Sequence, residues 1–253
     1  MKPLLLLIPA LLLIACGGGA PPPPPAGEGA GASGAPAGAA PGGGISTVAG
    51  RITFAGPRPP VEAIAITKDL EVCGAHPVVN EELVVGADGG LQNAVVSIVG
   101  PPAAATPAGA GAAIVPELHQ KGCVFRPHVS VVPAGAPVAV FNDDGVLHNI
   151  HTYSALNKPF NRAQPRHLKR IEVRFEKAET IRVACDAHPW MSAWVVVTDQ
   201  AHVAVSDAAG VFRLDGVPAG TYTARVWHEK LGEKMQAIEV QAGAETALNV
   251  EYR

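Results

Sequence analysis

From residue 45 onward, hydrophobic and polar positions alternate in short runs. VAGRITFAG (48–56), AVVSIVG (94–100), VFRPHVSVV (124–132), APVAVFN (136–142), IEVRFE (171–176), TIRVAC (180–185), AWVVVTD (193–199), TYTARVWHE (221–229) and MQAIEVQAG (235–243) are rich in Val, Ile, Thr and aromatic residues. Gly, Pro, Asn and Asp punctuate them. A period of two over a few residues, closed by turn formers, predicts strands, and this many predicts a sandwich or barrel. No long amphipathic helix is expected; the segment 158–169 is the one place for a short one.

Before residue 45 the pattern is different. Residues 1–16 read MKPLLLLIPALLLIAC: one Lys, an apolar run, small residues, then Cys16. The run is too short for a bilayer-spanning helix and reads as a secretory signal. Leu13-Ile14-Ala15-Cys16 resembles the bacterial lipobox, which implies cleavage before Cys16, lipidation of its thiol and a membrane anchor. Gly17, in place of an inner-membrane-retaining Asp, points to the outer membrane, with the protein facing the periplasm. Residues 17–44 hold only Gly, Ala, Pro, Glu28 and Ser33, which build no core, so this stretch is expected to be a disordered tether. A second low-complexity stretch, 101–113, is expected to be an exposed loop between strands.

Composition narrows the partners. With 19 Lys and Arg against 22 Asp and Glu, the net charge is -3, which excludes the strongly basic surface that nucleic acid requires. Gly (28) and Pro (24) in 253 residues argue against long helices. Four cysteines remain to be placed. With Cys16 on lipid and the chain exported, Cys73 and Cys123 are expected to form a disulfide. The alternative is a Cys2His2 metal site of Cys73, His76, Cys123 and His128. The pairs Asp143-Asp144 and Glu81-Glu82 are read as solvated turn residues. In Trp227-His228-Glu229 a packed Trp is expected beside exposed polar groups. No nucleophile elbow, Walker loop or HExxH is present, so an enzyme is not expected.

The densest chemistry is Cys185-Asp186-Ala187-His188-Pro189-Trp190-Met191, following the strand TIRVA. A thiolate, an imidazole and a thioether share one loop as C-x2-H-x2-M. His148-Asn149-Ile150-His151 follows another strand and turn. One distant His with Cys, His and Met from a single loop is the donor set of a type 1 copper site, with a strong thiolate bond, two imidazoles and a weak axial Met. These residues, with Phe125-Arg126-Pro127 and the strand leading to His148-Asn149, resemble the cupredoxins, most of all the amicyanin, plastocyanin and pseudoazurin group, and the short ligand loop is amicyanin-like. The resemblance covers about 91–198. It implies a Greek-key β-sandwich, one copper held by His148, Cys185, His188 and axial Met191, and Asn149 outside the ligands, tying the Cys185 loop. His151 is read as a bystander, since i and i+3 on a strand point to opposite faces. A single Cys in the loop argues against a dinuclear copper centre.

After Asp199, Ser206-Asp207, Gly210-Val211-Phe212, Val217-Pro218-Ala219-Gly220 and Tyr222 resemble the carboxypeptidase regulatory-like (transthyretin-like) β-sandwich, a non-catalytic accessory module. The expected organisation is therefore a signal (1–16), a tether (17–44), a β extension (45–90), a copper domain (91–199) and a small β module (200–253), with residues 45–70 being either strands that complete the last module or an extension of the copper domain. The expected function is single-electron transport between redox partners at the bacterial envelope. The competing reading is a non-catalytic envelope binding or structural protein, whose Zn or Cu at His148, His151, Cys185 and His188 serves stability or copper storage. The segment Lys158 to Arg182 holds eight Lys and Arg against three Glu. It is the expected docking patch for an acidic redox partner, with Trp190 forming an apolar rim where the His188 edge reaches the surface.

Overall fold

The computed structural model describes residues 45–99 and 115–253. The expected signal, the tether, Cys16 and the loop at 101–113 lie outside these residues. The described chain is almost entirely β: seventeen strands and one four-residue helix. In order these are β1 (Ile45–Phe54), α1 (Leu70–Cys73), β2 (Val95–Val99), β3 (Glu117–Gln120), β4 (Phe125–Arg126), β5 (Val129–Pro133), β6 (Pro137–Asn142), β7 (His148–Tyr153), β8 (Asn161–Gln164), β9 (Arg170–Arg174), β10 (Glu179–Ala184), β11 (Ser192–Thr198), β12 (Val203–Val205), β13 (Val211–Pro218), β14 (Gly220–His228), β15 (Gly232–Val240), β16 (Glu245–Ala247) and β17 (Val250–Tyr252). Among the described residues, no helix is long and apolar enough to cross a membrane.

Two sandwiches result. In the central one, a sheet ordered β5-β11-β10-β7-β8 and a sheet ordered β4-β3-β6-β9 enclose Leu118, Phe125, Val140, Ile150, Phe175, Ile181 and Val195. Each such side chain contributes about 1.5–3 kcal/mol on burial. The parallel pairs β5–β11 and β3–β6 join strands far apart in sequence, so the chain crosses between sheets rather than meandering. β11 (SAWVVVT) is paired on both sides and buries three consecutive valines, as a strand inside a covered sheet should.

In the second sandwich, the order β12-β2-β14-β15 packs against β13-β1-β16, and β17 also pairs with β1. Val48, Ile52, Leu91, Phe212, Leu214, Val226 and Tyr252 fill it. Strand β13 (VFRLDGVP) alternates exposed and buried positions through Leu214, so only one face meets this core. β1 approaches Leu248 so closely that a Cβ on Gly50 would stand 1.9 Å from the Leu248 carbonyl oxygen.

Three expectations change. Of the two places left open for residues 45–70, β1 takes the terminal sandwich, and β2, expected at the start of the copper domain, joins it there, because their ladders run to β13, β16, β17, β12 and β14. The central sandwich is thus inserted between β2 and β12. The segment 158–169 forms no helix: Pro159 and Pro165 interrupt it, and β8 between them pairs with β7. The single helix lies instead at Leu70–Cys73, where no periodicity announced it.

Candidate metal centre

His148 opens β7, at the end of the five-stranded sheet where β10 gives way to Cys185. The loop from Cys185 to Met191 closes on itself before β11 begins. Cys185 N–H donates to Met191 O (3.2 Å), and Met191 N–H donates to His188 O (2.9 Å). Asn149 Oδ1 accepts from Asp186 N–H (2.7 Å) and Ala187 N–H (3.2 Å), while Asn149 N–H points at Cys185 Sγ (3.4 Å). Asn149 therefore ties the loop and solvates the sulfur. Trp190 Nε1–H donates to Cys123 O at 3.1 Å.

This loop folds three donors into a buried triangle. Cys185 Sγ lies 4.0 Å from His148 Nδ1 and 3.8 Å from His188 Nδ1, and the two Nδ1 atoms are 3.0 Å apart. His148 and His188 are fully buried, and Cys185 nearly so. Each imidazole turns its other nitrogen to a carboxylate: His148 Nε2 to Asp144 Oδ2 (2.9 Å) and His188 Nε2 to Asp69 Oδ2 (2.8 Å). Carboxylate partners place the proton on Nε2 and leave the Nδ1 lone pair free. Two lone pairs aimed at each other across 3.0 Å repel, unless a proton or a cation lies between them.

A metal fits that demand. Metal–nitrogen bonds of roughly 2.0–2.1 Å and metal–sulfur bonds of roughly 2.3 Å span up to roughly 4.1 Å between nitrogens and roughly 4.4 Å between sulfur and nitrogen. All three edges of the triangle fall inside these limits. Met191 is buried in the same apolar cluster as Cys185. A thiolate with two imidazoles and a thioether nearby suits copper in either oxidation state.

The surroundings make Cys185 easier to deprotonate than a free thiol. Burial pushes the Cys185 thiol up, but the His148 imidazole and the Asn149 N–H outweigh it and hold the pKa below the ordinary value. Burial likewise opposes protonation of His148, yet hydrogen bonds to Asp144 and Cys185 raise its pKa to about 8. His188 is lowered, first by burial, against the pull of Asp69. Asp144 stays low despite burial, because His148 and the N–H groups of Cys123 and Gly122 donate to it.

The remaining sequence candidates fall as follows. His151 lies outside the triangle; its Nδ1 pairs with Asp186 at 3.0 Å. The four-donor set of His148, His151, Cys185 and His188 is therefore not assembled. Cys73 and Cys123 form a disulfide, with Cα atoms 5.2 Å apart. His76 is exposed and His128 pairs with Glu229, so the Cys2His2 alternative is not assembled either. Asp144, expected in solvent, is buried, and only its neighbour Asp143 stands partly exposed beside His119. His228 and Glu229, expected to be exposed, are also covered. The His188 edge does not reach the surface: Asp69 and Cys73 Sγ (3.7 Å from Nε2) cover it. Asp69 was missed, since nothing in its local sequence links it to a residue 119 positions away. Asp144 carried a signal, standing four residues before His148 in the turn ahead of β7.

Residues 180–253 match the family model of the carboxypeptidase regulatory-like domain. No curated protein matches the chain. Among solved structures it is similar to a purple cupredoxin from Nitrosopumilus maritimus, with 25% identity over 33% of this chain and 99% of that one and a TM-score of 0.29. It is also similar to a Cu-containing nitrite reductase from Thermus scotoductus, at 24% identity and a TM-score of 0.32; the match covers 40% of this chain but only 27% of the reductase. Amicyanin from Paracoccus versutus is 18% identical over 34% of this chain and 84% of its own, with a TM-score of 0.31.

Proposed function

We propose that this chain is a lipid-anchored type 1 copper protein of the bacterial envelope that carries single electrons between redox partners and catalyses no reaction of its own. The observation that carries this reading is the buried triangle of Cys185 Sγ, His148 Nδ1 and His188 Nδ1. Copper bound there supplies a one-electron couple. His148, Cys185 and His188 hold the ion, and Met191 lies on the same loop as a weak fourth donor. Asn149 fixes the loop, and the rigid β frame of β7, β10 and β11 keeps the donors in place whichever charge the ion carries. Water is excluded by burial, so little solvent need reorganise.

The anchor is lipid on Cys16, with residues 17–44 as tether. The docking partner is acidic. Lys158, Arg162, Arg166, Lys169, Arg170, Arg174, Lys177 and Arg182 are all exposed, and opposite charge speeds a weak encounter. A second reading, copper storage or a stabilising Zn or Cu, draws on the closed His188 edge, which removes the shortest route for an electron to solvent-exposed atoms. Anaerobic reductive titration of the copper-loaded full chain separates the two. Electron carriage requires one copper per chain and one electron taken up reversibly per copper. Metal that binds but neither accepts nor returns an electron contradicts it.

A further inference from the structure

The outer side of the triangle is built as carefully as the inner side. Asp69 precedes α1, and Cys73 ends it; the N–H groups of Val72 and Cys73 both donate to Asp69 O, at 2.9 and 2.8 Å. That single turn brings the Asp69 carboxylate and Cys73 Sγ together onto His188 Nε2. Across the disulfide, Cys123 N–H donates to Asp144 Oδ2 (2.9 Å) and Gly122 N–H to Asp144 Oδ1 (2.8 Å). The same Asp144 oxygen that Cys123 holds accepts from His148 Nε2. Asn142 Oδ1 supports the turn through Asp144 N–H. One disulfide therefore joins the two carboxylates that brace the two imidazoles. Both sulfur-bearing residues are buried. Asp69 (φ 49°) and Cys123 (φ 55°) are two of only three non-glycine residues with positive φ among the described residues, so backbone strain is accepted at both ends of the brace.

We infer that Asp69, Asp144 and the Cys73–Cys123 disulfide act together as an outer brace on the metal centre, with the two aspartates as positioning residues that favour the dipositive ion. The inference rests on the copper reading. A carboxylate on Nε2–H orients the ring and makes Nδ1 the stronger donor, and this helps Cu(II) more than Cu(I). Loss of either carboxylate weakens Cu(II) binding about 10–100-fold. Each tenfold that Cu(I) does not share raises the reduction potential by about 59 mV.

The test measures Cu(II) affinity by chelator competition and the midpoint potential by voltammetry, on the wild-type full chain, Asp69→Asn, and Cys73→Ala/Cys123→Ala. Asp69 is about half exposed, so Asp69→Asn removes the charge without opening the core. It is expected to lose at least tenfold in Cu(II) affinity with a rise in potential, the rise being a change that a purely structural role would not produce. The double cysteine variant, with folding checked by circular dichroism, is expected to lose Cu(II) affinity although every ligand and both aspartates remain. Asp69→Asn with Cu(II) affinity within twofold of wild type and no rise in potential overturns the brace. A folded double variant that binds Cu(II) as tightly as wild type overturns the part given to the disulfide. Wild-type protein that takes up no copper at all overturns the copper reading itself, a result distinct from either.

Discussion

Burial opposes protonation of His148, but the Asp144 carboxylate at 2.9 Å and Cys185 Sγ at 4.0 Å flank the ring and raise its pKa to about 8. Met191 differs in kind. It is fully buried and uncharged, and an axial thioether bond is long and weak. Met191→Leu keeps a similar apolar volume and removes a soft donor, so copper and colour should be retained while the reduction potential rises, because Cu(I) tolerates three donors better than Cu(II). His151→Ala should change potential and metal content little, since its partner is Asp186. Voltammetry with metal analysis on both variants checks this. Metal lost from His151→Ala, with Met191→Leu unchanged in potential, would refute the donor assignment.

At the scale of elements, the strands were readable because burial imposes a period of two, and the ligand loop was readable because C-x2-H-x2-M sits directly after a strand. What was not readable came from long-range packing. α1 is four residues long and has no room for a 3.6-residue pattern, so the turn that delivers Asp69 left no trace. Asp144 stands four residues before His148, a spacing visible in sequence, but its burial comes from its fold-dependent closeness to Cys123. The turn from Ser154 to Asn157 shows a related device. Glu179, on β10, accepts from Ser154 Oγ (2.5 Å), Ala155 N–H (2.6 Å) and Asn157 Nδ2 (2.9 Å). Burial pushes its pKa up, but these donors win and bring it from 4.5 to about 2. A carboxyl lowered on folding adds stability that is fully present above its unfolded value and is lost as pH falls from about 4.5 through about 2. Glu179→Gln should therefore be destabilised relative to wild type at pH 6, with the gap narrowing at pH 3, in urea unfolding at the two pH values. A gap of the same size at both would show that the charge of Glu179 contributes nothing.

At the scale of the whole molecule, the central sandwich is an insertion in the terminal one, and this is why a linear reading of the chain does not give the limits of either. A change in composition near Asp199 marks only the return of the chain; the outward crossing falls after β2, where Val95–Val99 has already paired with β14. The two sandwiches meet through Val95, Val129 and Val196, with the Trp194 and Trp227 rings packed edge to face, their planes 66° and their centroids 5.3 Å apart. Glu229 accepts from Trp194 Nε1 (2.7 Å) and pairs with His128, so polar groups that looked solvent-facing in sequence seal the joint. The terminal sandwich thereby abuts β5 and β11, and β11 continues directly from the Cys185–Met191 loop.

The central claim is a copper–thiolate bond at Cys185, and the absorption spectrum of the oxidised, copper-loaded full chain tests it most directly. An intense visible charge-transfer band, blue to green, is expected from wild type, with its loss in a folded Cys185→Ser variant. A colourless Cu(II) form of the wild-type protein would contradict the account.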